Sequence, residues 1–110
     1  FSFCCAVPAI IKKKNNKDIK FFENIGANIG LLFQIADDLI DFKGSAIIAG
    51  KITGKDKKKG KATLISLLGY QNAIKYTDKI KSKIISDLNK HSLNSNDLNE
   101  TLDYILTRNK

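Results

Sequence analysis

The sequence predicts an all-α protein, and two observations carry that prediction. Apolar residues recur at three- and four-residue spacing along most of the chain, and no stretch alternates convincingly with the two-residue period of a strand. A chain of this length fits one domain with one modest core. Hydrophobic residues at 43% and charged residues at 27% exclude collagen-like, disordered and disulfide-framework classes.

Four segments follow in order. Residues 1–11 are apolar and helix-like, interrupted by Pro8 and closed by the polar cluster KKKNNKD at 12–18. A long helix is expected from Ile19 to Phe42, its stripe made by Ile25, Ile29, Leu32, Phe33, Ala36, Leu39 and Ile40. Gly26 and Gly30 lie one turn apart on it. Each Gly costs about 1 kcal/mol in a helix interior, so the pair predicts the close approach of another helix. Residues 43–61 hold four of the seven glycines, with Lys at six of the eleven positions from 51 to 61, and read as a loop. A second long helix is expected from Ala62 to Lys90, with Leu64, Leu67, Leu68, Ile74, Ile80, Ile84 and Leu88 facing inward. A final helix over Asp97–Arg108 buries Leu98, Leu102, Ile105 and Leu106, with Asn94 or Ser95 as N-cap and Asp97 in its first turn.

No apolar run approaches the ~18 residues of a membrane span. The opening FSFCCAVPAII has the character of a secretory h-region, but its charges, Lys12 to Lys14, follow it instead of preceding it. The chain contains no Met and opens at Phe1 inside an apolar run, so the expectation is a fragment or a processed chain. Cys4 and Cys5 are adjacent, a spacing poorly suited to an unstrained disulfide or to a metal pair. They are expected to be small buried hydrophobes in a reducing, cytoplasmic setting.

The net charge of +8 favours an anionic partner: nucleic acid, an acidic membrane surface or a phosphorylated small molecule. Arg108 is the only Arg, which weakens sequence-specific DNA readout, since that leans on bidentate guanidinium contacts. Charge alone leaves the partner open.

The sharpest feature is Asp37, Asp38 and Asp41 in FQIADDLIDF. At about 100° per residue, Asp41 lies ~40° from Asp37 and ~60° from Asp38, so all three project into one sector of the helix. Phe33, Ile35, Ala36, Leu39, Ile40 and Phe42 surround them, which predicts a helix buried almost all round. Like charges one turn apart repel, and burying unpaired carboxylates costs more still. No Lys or Arg lies in the adjacent turns before Lys43. A divalent cation could balance the triplet, and Mg²⁺ commonly takes one or two carboxylates, several waters and a phosphate oxygen. The alternative is a solvated acidic face. Downstream, GKITGKDKKKGKATL is rich in Gly and Lys and leads into the next helix. Glycines let a backbone close around an anion, and a helix N-terminus favours negative charge. The P-loop spacing is absent. Together the two elements suggest Mg²⁺ and a diphosphate sharing one site.

In this order, GLLFQIADDLIDFKG and GKITGKDKKKGKATLISLLG resemble the short-chain trans-prenyl diphosphate synthases, the farnesyl and geranylgeranyl diphosphate synthase group. The first matches that family's second aspartate-rich motif, FQxxDDxxD, and the likeness runs through LDYILTRNK at the end of the chain. The resemblance implies a prenyltransferase in a helical bundle around a deep cavity, condensing an allylic diphosphate with isopentenyl diphosphate. It implies Mg²⁺ bound by Asp37, with Asp38 and Asp41 acting directly or through metal-bound water. It further implies that Lys51, and less closely Lys61, contact the allylic diphosphate and that Asp56 stands behind the metal. Phe33 and Gln34 would line the substrate cavity, with Gln34 helping to stabilise cationic charge. Ser45 departs from the Asp usual after the Gly.

The first aspartate-rich motif, the paired arginines and the isopentenyl-diphosphate residues of the family have no counterpart in these residues. Residues 1–110 are therefore expected to be the C-terminal part of a polyprenyl synthase domain, inactive alone and homodimeric as a full-length protein. Product length stays open. Three rivals remain. A class I terpene synthase relative would share the metal–diphosphate logic but lack the GKxxGKD and GKAT segments. A non-catalytic partner subunit would leave the triplet unexplained. A basic helical nucleic-acid-binding module would bind phosphate with a steep salt dependence that survives Asp37→Ala.

Overall fold

A computed structural model of the chain describes residues 1–49, 64–91 and 93–108, with the side chains of 45–49 left aside. Those residues form five α-helices and their connections, and no strand occurs among them. The helices are α1 (Ser2–Ile11), α2 (Asn16–Ala49), α3 (Leu64–Leu68), α4 (Tyr70–Lys90) and α5 (Asn96–Thr107).

In α1, Pro8 sits inside the helix and does not interrupt it, contrary to expectation. Its ring removes one backbone donor, and the helix nevertheless continues to Ile11. The end is closed by Lys13 in the left-handed region (φ 50°), with Lys13 N donating to Ile10 O and Lys14 N to Ala9 O. That pair of bonds is a Schellman closure, which glycine usually supplies.

Asn15 caps α2: its Oδ1 accepts from Asp18 N at 2.9 Å, and its carbonyl accepts from Ile19 N. The helix thus starts earlier than its apolar stripe. It also runs through Lys43 and Gly44 to Ala49, so the first part of the expected 43–61 loop is helical. A lone exposed Gly costs only about 1 kcal/mol, and the apolar run AIIA resumes at once. Residues 50–63 lie outside the described residues.

The predicted second helix is two helices. Gly69 adopts φ +79°, a value costly to other L-residues, and separates α3 from α4. The break changes the register, leaving Leu67 and Leu68 exposed where they were expected inward. The buried face of α4 runs Ala73, Thr77, Ile80, Ile84 and Leu88. Ser95 is the N-cap residue of α5, although its hydroxyl bonds Asn89 Oδ1 and not the helix; Asn94 Oδ1 instead accepts from Asn96 N.

The core is one contiguous cluster. Ile25, Ile29, Leu32 and Ile35 of α2 meet Ile80, Ile84 and Leu88 of α4 and Leu102 of α5. On the opposite side of α2, α1 packs along the two glycines as expected. A Cβ added at Gly26 would lie 2.6 Å from Phe1 O and 2.7 Å from Ser2 Cα, and one at Gly30 would lie 3.2 Å from the Phe1 ring. Ser2 Oγ donates to Glu23 O at 2.7 Å, fixing the start of α1 on α2.

At about 1.5 Å per residue, α2 is roughly 50 Å long and sets the 59 × 24 × 20 Å extents. The radius of gyration is 17.3 Å, against about 13 Å for a compact domain of this length. The described residues therefore form an elongated layer, with Phe3 and Ile11 of α1 more than 70% exposed. Cys4 is exposed and Cys5 half-buried, so the expected pair of buried thiols does not occur. No helix among the described residues is long and apolar enough to cross a membrane.

Candidate magnesium-diphosphate site

The carboxylate triplet lies past the middle of α2, where the helix has passed the core cluster. The expected burial on all sides is not found. Ile35 and Ala36 face the core, Asp37 and Asp38 are half-buried, and Asp41 and Phe42 are exposed. A helix at the edge of a layer has one covered face, which explains why apolar neighbours in sequence did not mean burial here.

Asp37 has a partner that local sequence could not reveal. The Nη2 of Arg108, at the C-cap of α5, bonds and ion-pairs with Asp37 Oδ1 across 71 positions of sequence. The same guanidinium lies over the Phe33 ring, its central carbon 4.2 Å from the centroid. That stacking is a cation–π contact. The Phe1 ring packs on Phe33 as well, at 5.5 Å between centroids. Phe33 and Asp37 are one turn apart on α2, so a guanidinium over the ring reaches the carboxylate directly. Among the described residues, Arg108 Nε is buried and finds no hydrogen-bond partner.

The second row of the helix face pairs Gln34 with Asp38, Nε2 donating to Oδ1 at 3.4 Å, a long bond. Beside the triplet is a cavity of about 90 Å³ bounded by Leu39, Ile40, Tyr70, Ile74, Leu106 and Arg108. Phe42 stacks on Tyr70 at 5.5 Å, tying the end of the triplet to the start of α4.

The structure thus brings together Phe33, Gln34, Asp37, Asp38 and Asp41. Lys51, Asp56 and Lys61 lie outside the described residues, as does the Ser45 side chain. Sequence reasoning missed Phe1 and Arg108; the available signal was a lone Arg ending an amphipathic helix.

Among the described residues, no group of three or more His, Cys, Asp or Glu side chains converges enough to hold an ion alone. The donor set still suits Mg²⁺. That ion takes one or two carboxylates and fills its remaining positions with water and phosphate oxygens. Asp37 and Asp41, on adjacent turns with only oxygen donors, offer that much and no more. A dedicated protein cage is not required.

The described residues define an all-α protein with a row of carboxylates on a long helix. Comparison with known proteins gives the family. The polyprenyl synthetase model matches residues 1–105. Farnesyl diphosphate synthase of Micrococcus luteus is 36% identical over 102 residues, covering 92% of this chain and 35% of that protein. Farnesyl diphosphate synthase of Escherichia coli K12 is 32% identical over 100 residues, 88% of this chain and 33% of that protein. Geranylgeranyl diphosphate synthase of Cyanophora paradoxa is 32% identical over 101 residues, 92% of this chain and 34% of that protein. No solved structure gives a significant match. The chain belongs to the polyprenyl synthetase family, and it spans about a third of the length of these relatives.

Proposed function

We propose that this chain forms the diphosphate-holding part of a trans-prenyltransferase that condenses an allylic diphosphate with isopentenyl diphosphate, as in farnesyl or geranylgeranyl diphosphate synthesis. The observation that carries the proposal is the carboxylate row Asp37–Asp41 on α2, in a chain matched to the family over residues 1–105. Magnesium, when bound, supplies positive charge against the pyrophosphate that departs from the allylic substrate.

The chain's own residues then have distinct tasks. Asp37 holds the cation from this side, with Asp38 and Asp41 completing the row. Lys51 and Lys61 bind the diphosphate oxygens, and Asp56 stands behind the cation. Such preorganised charges act where charge develops as the C–O bond breaks. Gln34 presents its amide oxygen to the allylic cation, and Phe33 gives the cavity an apolar wall that keeps out water, which would quench that cation. The double bond of isopentenyl diphosphate attacks, and a proton is lost from the adduct.

The proposal concerns the protein in which residues 1–110 are joined to the elements carrying the first aspartate-rich motif; residues 1–110 alone are inactive. The full-length protein is a cytoplasmic homodimer in the same proposal. The test is turnover of allylic diphosphate by the complete protein. Asp37→Ala lowers it about a hundredfold or more, comparable to loss of an oxyanion donor, with the far-UV spectrum unchanged. Near-normal turnover would remove Asp37 from the site.

A further inference from the structure

In this structure the Arg108 guanidinium sits on Asp37 Oδ1, placing a positive charge where a metal ion bound through that oxygen would sit. We propose that Arg108 is the stand-in cation of the Asp37 site: it neutralises Asp37 while the metal is away, and magnesium diphosphate displaces it, freeing the end of α5. The proposal rests on the assignment of Asp37 as a metal-binding carboxylate.

Three observations support an exchange over a permanent strut. First, the pair answers the electrostatic problem of the helix. Asp37, Asp38 and Asp41 share one sector, and among the described residues Asp37 is the one that receives a full positive charge. Gln34 gives Asp38 a long neutral bond, and Asp41 is exposed to water. Arg108 therefore sits at the carboxylate assigned to the metal.

Second, the contact is incompletely satisfied. Arg108 Nε is buried without a hydrogen-bond partner among the described residues, an arrangement that costs free energy and that departure of the side chain relieves. Asp37 is 45% exposed, so water can replace the guanidinium and an ion can approach from solvent. A half-exposed pair of this kind is weak enough to be exchanged.

Third, the position of Arg108 at the end of α5 makes departure possible without unfolding. It is the C-cap residue (φ −55°, ψ 133°), and its backbone N donates to Tyr104 O at 2.9 Å. The buried anchor of the helix is Leu102, well before it. Rotation of the Arg108 side chain off Phe33 leaves that anchor untouched and uncovers the ring beside the carboxylates.

The experiment uses the complete protein, with Mn²⁺ counted by paramagnetic resonance in the presence of inorganic pyrophosphate, and thermal unfolding with and without both. Arg108→Gln removes the competing charge. It is expected to tighten Mn²⁺ binding by up to about fivefold, the range set by an exposed ion pair, and to lower the unfolding temperature of the metal-free protein only. In an Asp37→Asn background the same substitution leaves Mn²⁺ binding unchanged. A structural strut would instead lower the unfolding temperature equally in both states. That result, or Mn²⁺ binding unchanged or weakened by Arg108→Gln while Asp37→Asn weakens it, overturns the exchange and leaves the metal assignment standing. Mn²⁺ binding indifferent to Asp37→Asn overturns the metal assignment and the exchange with it. If Arg108→Gln fails to fold, Arg108→Lys decides: it keeps the charge and loses the flat stacking on Phe33, so binding tightens less than threefold under exchange and falls or stays fixed otherwise.

Discussion

One pair of residue types tests the packing of α1 on α2 with opposite signs. Replacing Gly by Ala in a helix interior gains about 1 kcal/mol from backbone propensity wherever the methyl group finds space. Among the described residues nothing lies within 4 Å of a Cβ added at Gly44, so Gly44→Ala is expected to stabilise the fold by about 0.5–1 kcal/mol. At Gly26 the same methyl would sit 2.6 Å from Phe1 O and 2.7 Å from Ser2 Cα, both backbone atoms that cannot rotate aside. α1 must move away. Overpacking costs of this sort run to about 1–3 kcal/mol. The Ser2–Glu23 hydrogen bond, one turn earlier, is lost for about 1 kcal/mol more. After the propensity gain, Gly26→Ala is expected to destabilise by about 1–3 kcal/mol. Gly30→Ala meets only the Phe1 ring at 3.2 Å, a side chain that can turn, and should fall within about 0.5 kcal/mol of the parent. Urea unfolding followed by far-UV circular dichroism measures the series, the slope reporting whether the unfolded surface stays constant. Three variants shifting in the same direction by similar amounts would refute the close approach of α1, because propensity alone would then account for them.

Further outcomes follow from the core, a helix end and a thiol. Leu102 is fully buried between α2 and α4, so Leu102→Ala should cost about 2–5 kcal/mol in the same urea experiment. Lys13 closes α1 with φ 50°, so Lys13→Gly should raise stability by about 0.5 kcal/mol despite removing a side chain, and Lys13→Ala should not. Burial pushes the Cys5 thiol up from its ordinary value; the amino terminus opposes this and Cys4 adds to it. The folded state then holds that proton more tightly than the unfolded one, so the contribution is present below the ordinary thiol range and is lost as pH rises through the raised value. In a Cys4→Ala background, unfolding free energy should therefore decline with pH from the ordinary thiol range upward, and Cys5→Ala should remove that decline.

What the sequence made legible was whatever depends on neighbours along the helix. The stripe of α2 and the glycine contact were both readable because helical geometry relates residues three and four apart. The carboxylate sector was readable for the same reason. Boundaries were less so: Asn15 capped α2 before the apolar pattern began, and Gly69 split the second long helix by adopting a backbone angle that composition does not encode. The partner of Asp37 was out of reach altogether. Arg108 comes to Asp37 through the packing of α5 on α2 and α4, and no spacing rule links positions 71 apart. Burial of the triplet was overestimated because an apolar helix face shows which side prefers cover but not whether a neighbour supplies it.

The meeting of Phe1 and Arg108 on the Phe33 ring has a kinetic consequence. Contacts of such sequence separation close large loops, and their entropic cost is met only after nearer contacts have formed. The α1–α2 hairpin can organise early from local pairings, whereas Asp37 gains its counter-charge only once α5 has docked.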